Sequence, residues 1–305
     1  MKQPVVWIVG GSVLQLPAIR AAGELGYRVL LTDGNSRCKG RKLAHKFYRV
    51  STQDALAHEE LALKLGDREL PIKGVFTTGS DAEVSVAMAA LALGVRTIPE
   101  YVANRCKDKI ATRQVLGCAD IPQPEFGTGE RLAGLADVAS RIGFPVVVKA
   151  PTLSASRGVS VHLNYDKFYD ACKAARELSP DRQVLIEGCL RRSDKLPEYS
   201  TEILFDNSGY CHYLNTVERR FRVINNVPIE VGHINPAPLP PAETDKLFGL
   251  AKAAAAAIGV QWGAFKVDTI PHKNGYAVLE VTARLSGGYD ASHTTPLATG
   301  RNLIM

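Results

Sequence analysis

The sequence predicts a mixed α/β and α+β protein: an N-terminal unit built on a parallel sheet, then a longer region of strands, hairpins and helices. Three observations carry this. The chain opens with repeated strand, turn, helix, strand units. Near Ala103 that rhythm gives way to strand-rich segments ending in hairpins. The 305 residues, 46% hydrophobic and 22% charged, are also enough for two or three cores in series.

Residues 5–10, Val-Val-Trp-Ile-Val-Gly, read as a fully buried strand; residues 16–25 carry helical apolar spacing ended by Gly26, and residues 27–32 return as a strand. Such a crossover dictates parallel pairing with helices on the faces of the sheet. A strand at 47–50, a helix at 54–65, a strand at 74–77 and a helix at 82–93 closed by Gly94 extend the unit over residues 1–102. Its ligand shelf is expected at the carboxyl ends of the strands, at Gly10, Gly11, Ser12, Thr78, Gly79 and Ser80. Asp33 follows Gly10-Gly11 at about the interval of a ribose contact, the basis for an alternative reading as an NAD-dependent oxidoreductase. Against it, the turn lacks the full G-x-G-x-x-G spacing.

Beyond Ala103 the spacing predicts a helix at 108–116, a proline-bearing link at 121–124 and a helix at 132–142. Strands at 144–149 and 159–163 flank a loop of small residues, 150–158, and are followed by a helix at 167–178 and a strand at 184–187. Residues 199–205 and 210–217 alternate about Asp206-Asn207-Ser208-Gly209, the pattern of a hairpin. An Ala-rich helix at 242–258 precedes a last hairpin, 264–270 and 277–285, about Lys273-Asn274-Gly275.

No apolar run approaches the roughly 20 residues needed to cross a bilayer, and the N-terminus lacks a signal-peptide pattern, so a cytoplasmic chain without a membrane partner is expected. The six cysteines are scattered without a C-x-x-C pair and read as thiols. A net charge of +6 suits a polyanion. The basic clusters at 37–46 and 219–222 lack interleaved aromatics, so no nucleic-acid partner is expected.

The last hairpin carries the chemistry. On its second strand Glu280, Thr282 and Arg284 alternate with Leu279, Val281, Ala283 and Leu285, so the polar three share a face. A three-residue loop with Gly275 left-handed sets Asp268 directly opposite Glu280. Two carboxylates that close repel unless a cation lies between them, and oxygen ligands suit Mg²⁺ completed by substrate phosphates. Lys149 ends an apolar strand before the loop containing Ser154, Ser156 and Gly158, where backbone N–H groups approach phosphates, and Lys109 opens a helix.

Together these segments resemble the ATP-grasp superfamily of carboxylate-amine ligases, the group that includes biotin carboxylase, the carbamoyl phosphate synthetase large chain and D-alanine ligase. The resemblance runs through Asn104-Arg-Cys-Lys-Asp-Lys109 with Arg113 and Leu116, residues 144–149, Val184-Leu-Ile-Glu187-Gly-Cys-Leu190 with Glu198, and Asp268, Glu280 and Arg284. It implies a pre-ATP-grasp domain at 1–102, a small ATP-grasp lobe with its linker helix at 103–190, and a large lobe at 191–305 without its closing helix. By the same resemblance Lys109, Lys149 and Ser156 serve the ATP phosphates, Glu187 and the backbone at Cys189 and Leu190 bind adenine, and Glu198 binds ribose. Asp268, Glu280 and Thr282 would hold Mg²⁺ or Mn²⁺, and Arg284 would meet the acyl phosphate. Thr282 stands where the family usually has Asn, so one metal oxygen then comes from a hydroxyl or from water.

The implied activity is ATP-dependent activation of a carboxylate for attack by an amine, with release of ADP and phosphate, in a homodimer acting on small molecules. Residues Ser12, Ser80, Arg219, Arg220, Arg222, His233 and 286–289 are the candidates for substrate contact. A non-catalytic or regulatory ATP-binding protein is the alternative.

Overall fold

Four short strands, β1 (Val5–Val9), β2 (Arg28–Thr32), β3 (Lys46–Tyr48) and β4 (Ile72–Phe76), of which β1 and β2 are rich in Val, Ile and Leu, pair in parallel in the order β3-β2-β1-β4. The structure is a computed structural model that describes residues 3–66, 71–154, 156–191, 196–273 and 275–304. Ala155 of the small-residue loop and Asn274 of the last hairpin turn lie outside the described residues. Helices α1 (Leu16–Glu24) and α2 (Ala55–Gly66) supply crossovers, and α3 (Glu83–Ala92) follows β4 and packs on the sheet. Trp7, Val9, Leu30 and Ala89 pack on one face of the sheet, and Ile8, Ile19, Val29 and Leu31 on the other. A strand buried on both faces has no polar alternation, which is why β1 reads as a continuous apolar run.

Helices α4 (Glu100–Lys107) and α5 (Lys109–Cys118) follow. Between them Asp108 is extended, and its carboxylate accepts from Ile110 N at 2.8 Å, so a capping acid separates two helices where one was expected. The next sheet joins β5 (Phe126–Gly129), β6 (Val146–Lys149), β7 (Val159–His162) and β8 (Val184–Gly188) antiparallel in the order β5-β8-β6-β7. Helices α6 (Leu132–Ile142) and α7 (Phe168–Glu177) cover it through Leu135, Val148, Phe168 and Ile186. The unexpected strand β5, Phe-Gly-Thr-Gly, has no apolar alternation to read.

The third sheet is antiparallel throughout. Strands β9 (Glu198–Phe205), β10 (Cys211–Ile224), β11 (Val227–Ile234), β12 (Gly263–His272) and β13 (Gly275–Thr282) run in the order β11-β10-β9-β12-β13. Strand β10 extends past the expected residue 217 to pair with β11, whose Pro228 and Gly232 disguise it as a loop. Helix α8 (Pro241–Ile258) packs on this sheet, and a short helix, α9 (Thr295–Thr299), lies near the end. Val102, Cys106 and Leu116 share a core with Ala254, Phe265 and Val267. Helices α4 and α5 therefore bury apolar residues in the core of the third sheet, whereas α6 and α7 cover the second. One parallel and two antiparallel sheets make a mixed α/β architecture, and among the described residues no helix is long and apolar enough to cross a membrane.

Among the contacts between the parallel unit and the third sheet, two lie at Arg284 and Gly79. Arg284, just past β13, pairs with Asp81 Oδ1 at 2.7 Å and Glu83 Oε1 at 3.2 Å. Beside it Gly79 has φ +66°, and a Cβ there would lie 3.0 Å from Gly287 Cα. Gly79→Ala should thus lower stability by about 1–3 kcal/mol, the usual cost of a non-glycine residue in the left-handed region. Gly74→Ala, which meets nothing within 4 Å, should stay within about 0.5 kcal/mol of the parent. Chemical denaturation of both variants checks this.

Candidate functional site

A pocket of about 700 Å³ opens where the three sheets converge, walled by the Gly79 turn, Lys109, β6, β8 and the face of the third sheet. The grid at its centre follows from register. Asp268 pairs with Glu280 and Lys266 with Thr282, while across the other edge of β12 Asp268 faces Ser200 and Lys266 faces Glu202. Paired residues on neighbouring strands project from the same face, so these six polar side chains lie together.

The register arises differently from the expected three-residue loop. His272 pairs with Gly275, leaving a two-residue connection in which Lys273 is left-handed with φ 50°. That turn alone would set Asp268 against Leu279. A bulge between Asp268 and Thr269 restores the pairing: Thr269 faces Val278, Asp268 faces Glu280, and Leu279 is the extra residue. Leu279 in consequence lies on the pocket wall, correcting the expectation that it points away with Val281.

Arg113 on α5 braces the bulge. Its Nη1 donates to Val278 O at 3.1 Å, its Nη2 to Leu279 O at 2.6 Å, and its Nε to Glu187 Oε1 at 2.7 Å. The second oxygen of Glu187 meets Lys149 Nζ at 2.6 Å. Burial by itself would raise the pKa of Glu187; the Arg113 and Lys149 cations overcome it and hold the group at about 2. Both Glu187 oxygens are thus paired and the residue is 1% exposed, so its carboxylate fixes Arg113 and, at the pocket wall, Lys149. The Cys189 amide donates to Pro145 O at 2.9 Å. Cys189 and Leu190 both line the pocket.

Lys109 Nζ lies 3.0 Å from Glu280 Oε1 and donates to Leu153 O at 2.6 Å, tying the helix start to the small-residue loop. Burial pushes the Glu280 pKa up, but Lys109 and then Lys266 pull it well below the usual carboxylate range. Ser156, left-handed with φ 57°, donates from Oγ to Pro228 O at 3.0 Å, so it joins that loop to β11. Glu198 pairs with Arg191, whose guanidinium lies 4.7 Å from the Phe221 ring centroid.

Asp268 is buried and doubly paired: Lys266 Nζ lies 2.9 Å from Oδ1 and 2.7 Å from Oδ2, and Arg219 Nη1 2.8 Å from Oδ2. Burial opposes ionisation, and Lys266 and Arg219 more than offset it, so the Asp268 pKa is lowered. Sequence reasoning passed over Lys266, although its place two residues before Asp268 put it on the polar face. Asp81, Glu83 and Glu202 were missed for another reason: their partners are distant in the chain, as when Glu202 Oε1 accepts from Ser286 N at 2.6 Å. Among the substrate candidates, His233 Nε2 lies 3.2 Å from Asp290 Oδ1 at the pocket wall.

The donors suit a hard divalent cation at one end of the grid. Among the described residues Thr282 Oγ1 is buried without a hydrogen-bond partner, and Glu280 beside it has one cation within 4.0 Å where Asp268 has two. Among the described residues no group of three or more His, Cys, Asp or Glu side chains is arranged for a metal. A single carboxylate with phosphate oxygens is, however, an ordinary Mg²⁺ environment. On the N-terminal shelf, Asp33 accepts from Gly11 N and Asn35 N, both at 2.7 Å. It caps the turn at the place where a dinucleotide ribose would need it.

The family model described as carbamoyl-phosphate synthase L chain, ATP binding domain, matches residues 108–305. The uncharacterized Sinorhizobium fredii protein y4rH is 29% identical over 205 residues, covering 63% of this chain and 39% of that one. The carbamoyl phosphate synthase large chain of Vibrio parahaemolyticus is 23% identical over 282 residues, covering 88% of this chain and 25% of its own length. The chain thus spans well under two thirds of the length of these curated relatives. Among solved structures, the biotin carboxylase domain of the Hydrogenobacter thermophilus 2-oxoglutarate carboxylase superposes with a TM-score of 0.79 at 19% identity, over 100% of this chain and 68% of that one. The L-amino acid ligase from Bacillus licheniformis gives 0.76 at 22% identity, over 100% and 73%. At these identities the likeness speaks to the fold.

The buried Glu187 pair has a pH signature. Its folded pKa of about 2 lies below the ordinary 4.5, so its stabilising contribution is complete above pH 4.5 and is lost as the pH falls through 2. Glu187→Gln should start less stable at neutral pH and lose less stability between those values than the parent, as read by urea midpoints across the acid range.

Proposed function

The chain belongs to the carbamoyl-phosphate synthase L chain ATP-binding domain family, among the ATP-grasp carboxylate-amine ligases, and we propose that it uses ATP to activate a small-molecule carboxylate for attack by an amine. The observation that carries the proposal is the convergence of two ammonium groups, Lys109 from a helix start and Lys149 from a strand end, on the wall that bears Glu280. Each is held by a carboxylate, Lys149 by the buried Glu187 and Lys109 by the half-buried Glu280, so its charge stands ready for a phosphate without a search through rotamers.

In this reading the triphosphate lies along Lys109 and Lys149, and the base lies toward Leu190 with Glu198 at the ribose. Glu280 and Thr282 would hold the divalent ion, which supplies positive charge to the phosphoryl oxygens. A carboxylate oxygen of the substrate attacks the γ-phosphorus and the bond to ADP breaks, giving an acyl phosphate. The amine then attacks the acyl carbon, phosphate leaves, and the nitrogen gives up a proton to form the amide. Arg284, anchored by Asp81 and Glu83, stands where charge builds on the acyl phosphate, and its fixed guanidinium needs no reorganisation as the barrier is crossed. The Gly79 turn, residues 286–288 and the His233–Asp290 pair form the wall left for the carboxylate and the amine.

A phosphate-release screen over carboxylate and amine pairs with Mg²⁺ tests the proposal: release should require ATP and both substrates. Lys149→Ala and Glu280→Gln should each lower turnover by about a hundredfold or more, while Arg284→Ala keeps nucleotide binding and loses rate. ATP with Mg²⁺ should raise the melting temperature and NADH should not; equal stabilisation by NADH would remove the basis for the assignment.

A further inference from the structure

We propose that Lys266 is a built-in cation that takes the place of a divalent ion at Asp268, so that this pocket holds one metal ion with its nucleotide, seated at Glu280. The inference rests on the reading of the pocket as a nucleotide site. Asp268 and Glu280 face each other across β12 and β13 and would both serve as ligands if nothing else neutralised them. The two carboxylates are not alike. The Lys266 ammonium bridges both oxygens of Asp268, at 2.9 and 2.7 Å, and Arg219 adds a third charge-assisted bond at 2.8 Å. One negative charge thus faces two positive ones inside a wall where Lys266 is 9% exposed.

A second divalent ion at Asp268 would have to coordinate at roughly 2.0–2.1 Å to an oxygen that already accepts from an ammonium or a guanidinium. Displacing Lys266 would leave a buried ammonium to find new partners, and retaining it would put two cations against one carboxylate oxygen. Glu280 differs on each point: among the described residues Lys109 is the one cation within 4.0 Å of it, and the neighbouring Thr282 Oγ1 is buried with no hydrogen-bond partner among them, an oxygen on the same face still in need of a bond. The positional logic agrees. Lys266 stands directly across from Thr282 and two residues from Asp268 on one strand face, so its short reach to Asp268 is fixed by the strand itself.

Electron paramagnetic resonance with Mn²⁺ and the β,γ-imido analogue of ATP tests this on the whole chain. The parent protein should bind one Mn²⁺ per chain in the presence of the analogue. Lys266→Met, which keeps the length and removes the charge, should bind two, and Lys266→Arg should return to one. Two Mn²⁺ per parent chain overturns the proposal, as does a single Mn²⁺ in a Lys266→Met protein with parental circular dichroism. If Lys266→Met fails to fold, the parental count decides. Failure of the analogue to bind the parent at all would instead overturn the nucleotide reading, and the proposal with it.

Discussion

The guanidinium of Arg113 is the point on which the pocket depends. It is 1% exposed, and its bonds reach a carboxylate on β8 and two consecutive carbonyls on β13. A buried charge in that position is tolerable only while each bond is made, so the three elements are held at fixed separation. The two carbonyls are those of the bulge and the residue before it. The bulge cancels the offset of a two-residue turn and thereby brings Asp268 opposite Glu280. The same Glu187 that neutralises Arg113 also aims Lys149, and the helix that carries Arg113 begins at Lys109. One interaction therefore sets both lysines and the carboxylate between which a triphosphate would lie.

Electrostatic pairing extends this order through the whole wall. Lys109 is matched with Glu280, Lys149 with Glu187, Lys266 and Arg219 with Asp268, and Arg284 with Asp81 and Glu83. Such pairs add little net stability once desolvation is counted. What they do provide is orientation, since a cation already held by a buried acid loses little freedom when an anionic ligand arrives. The last pair also joins the parallel unit to the third sheet, so the Gly79 turn and the wall that bears Lys109 and Lys149 share one boundary.

Much of this is legible in the sequence where local pattern decides structure. The continuous apolar run of β1, the glycine stops of the first helices and the alternation of Glu280, Thr282 and Arg284 all follow from periodicity. The opposition of Asp268 and Glu280 is legible too, but by way of a loop of the wrong length; an odd loop and an even loop with one bulged residue give the same pairing, and no local signal separates them. Strand β11 is hidden by Pro228 and Gly232, which an outer strand tolerates and a central one would not. Helix α4 is obscured because the break at Asp108 is a matter of capping and not of apolar spacing. The roles of Glu187 and Lys266 are out of reach for a different reason: which acid a lysine chooses is settled by tertiary distance, and Glu187 meets an arginine 74 positions away.

A crystal structure with the β,γ-imido analogue of ATP and Mn²⁺, with the metal located by anomalous scattering, tests the account most directly. The account predicts the phosphates between Lys109 and Lys149, the metal peak at Glu280, and Arg113 still bonded to Glu187 and to the Val278 and Leu279 carbonyls. Nucleotide density on the Gly10–Gly11 shelf, or phosphates bound with both lysines turned away, would contradict it.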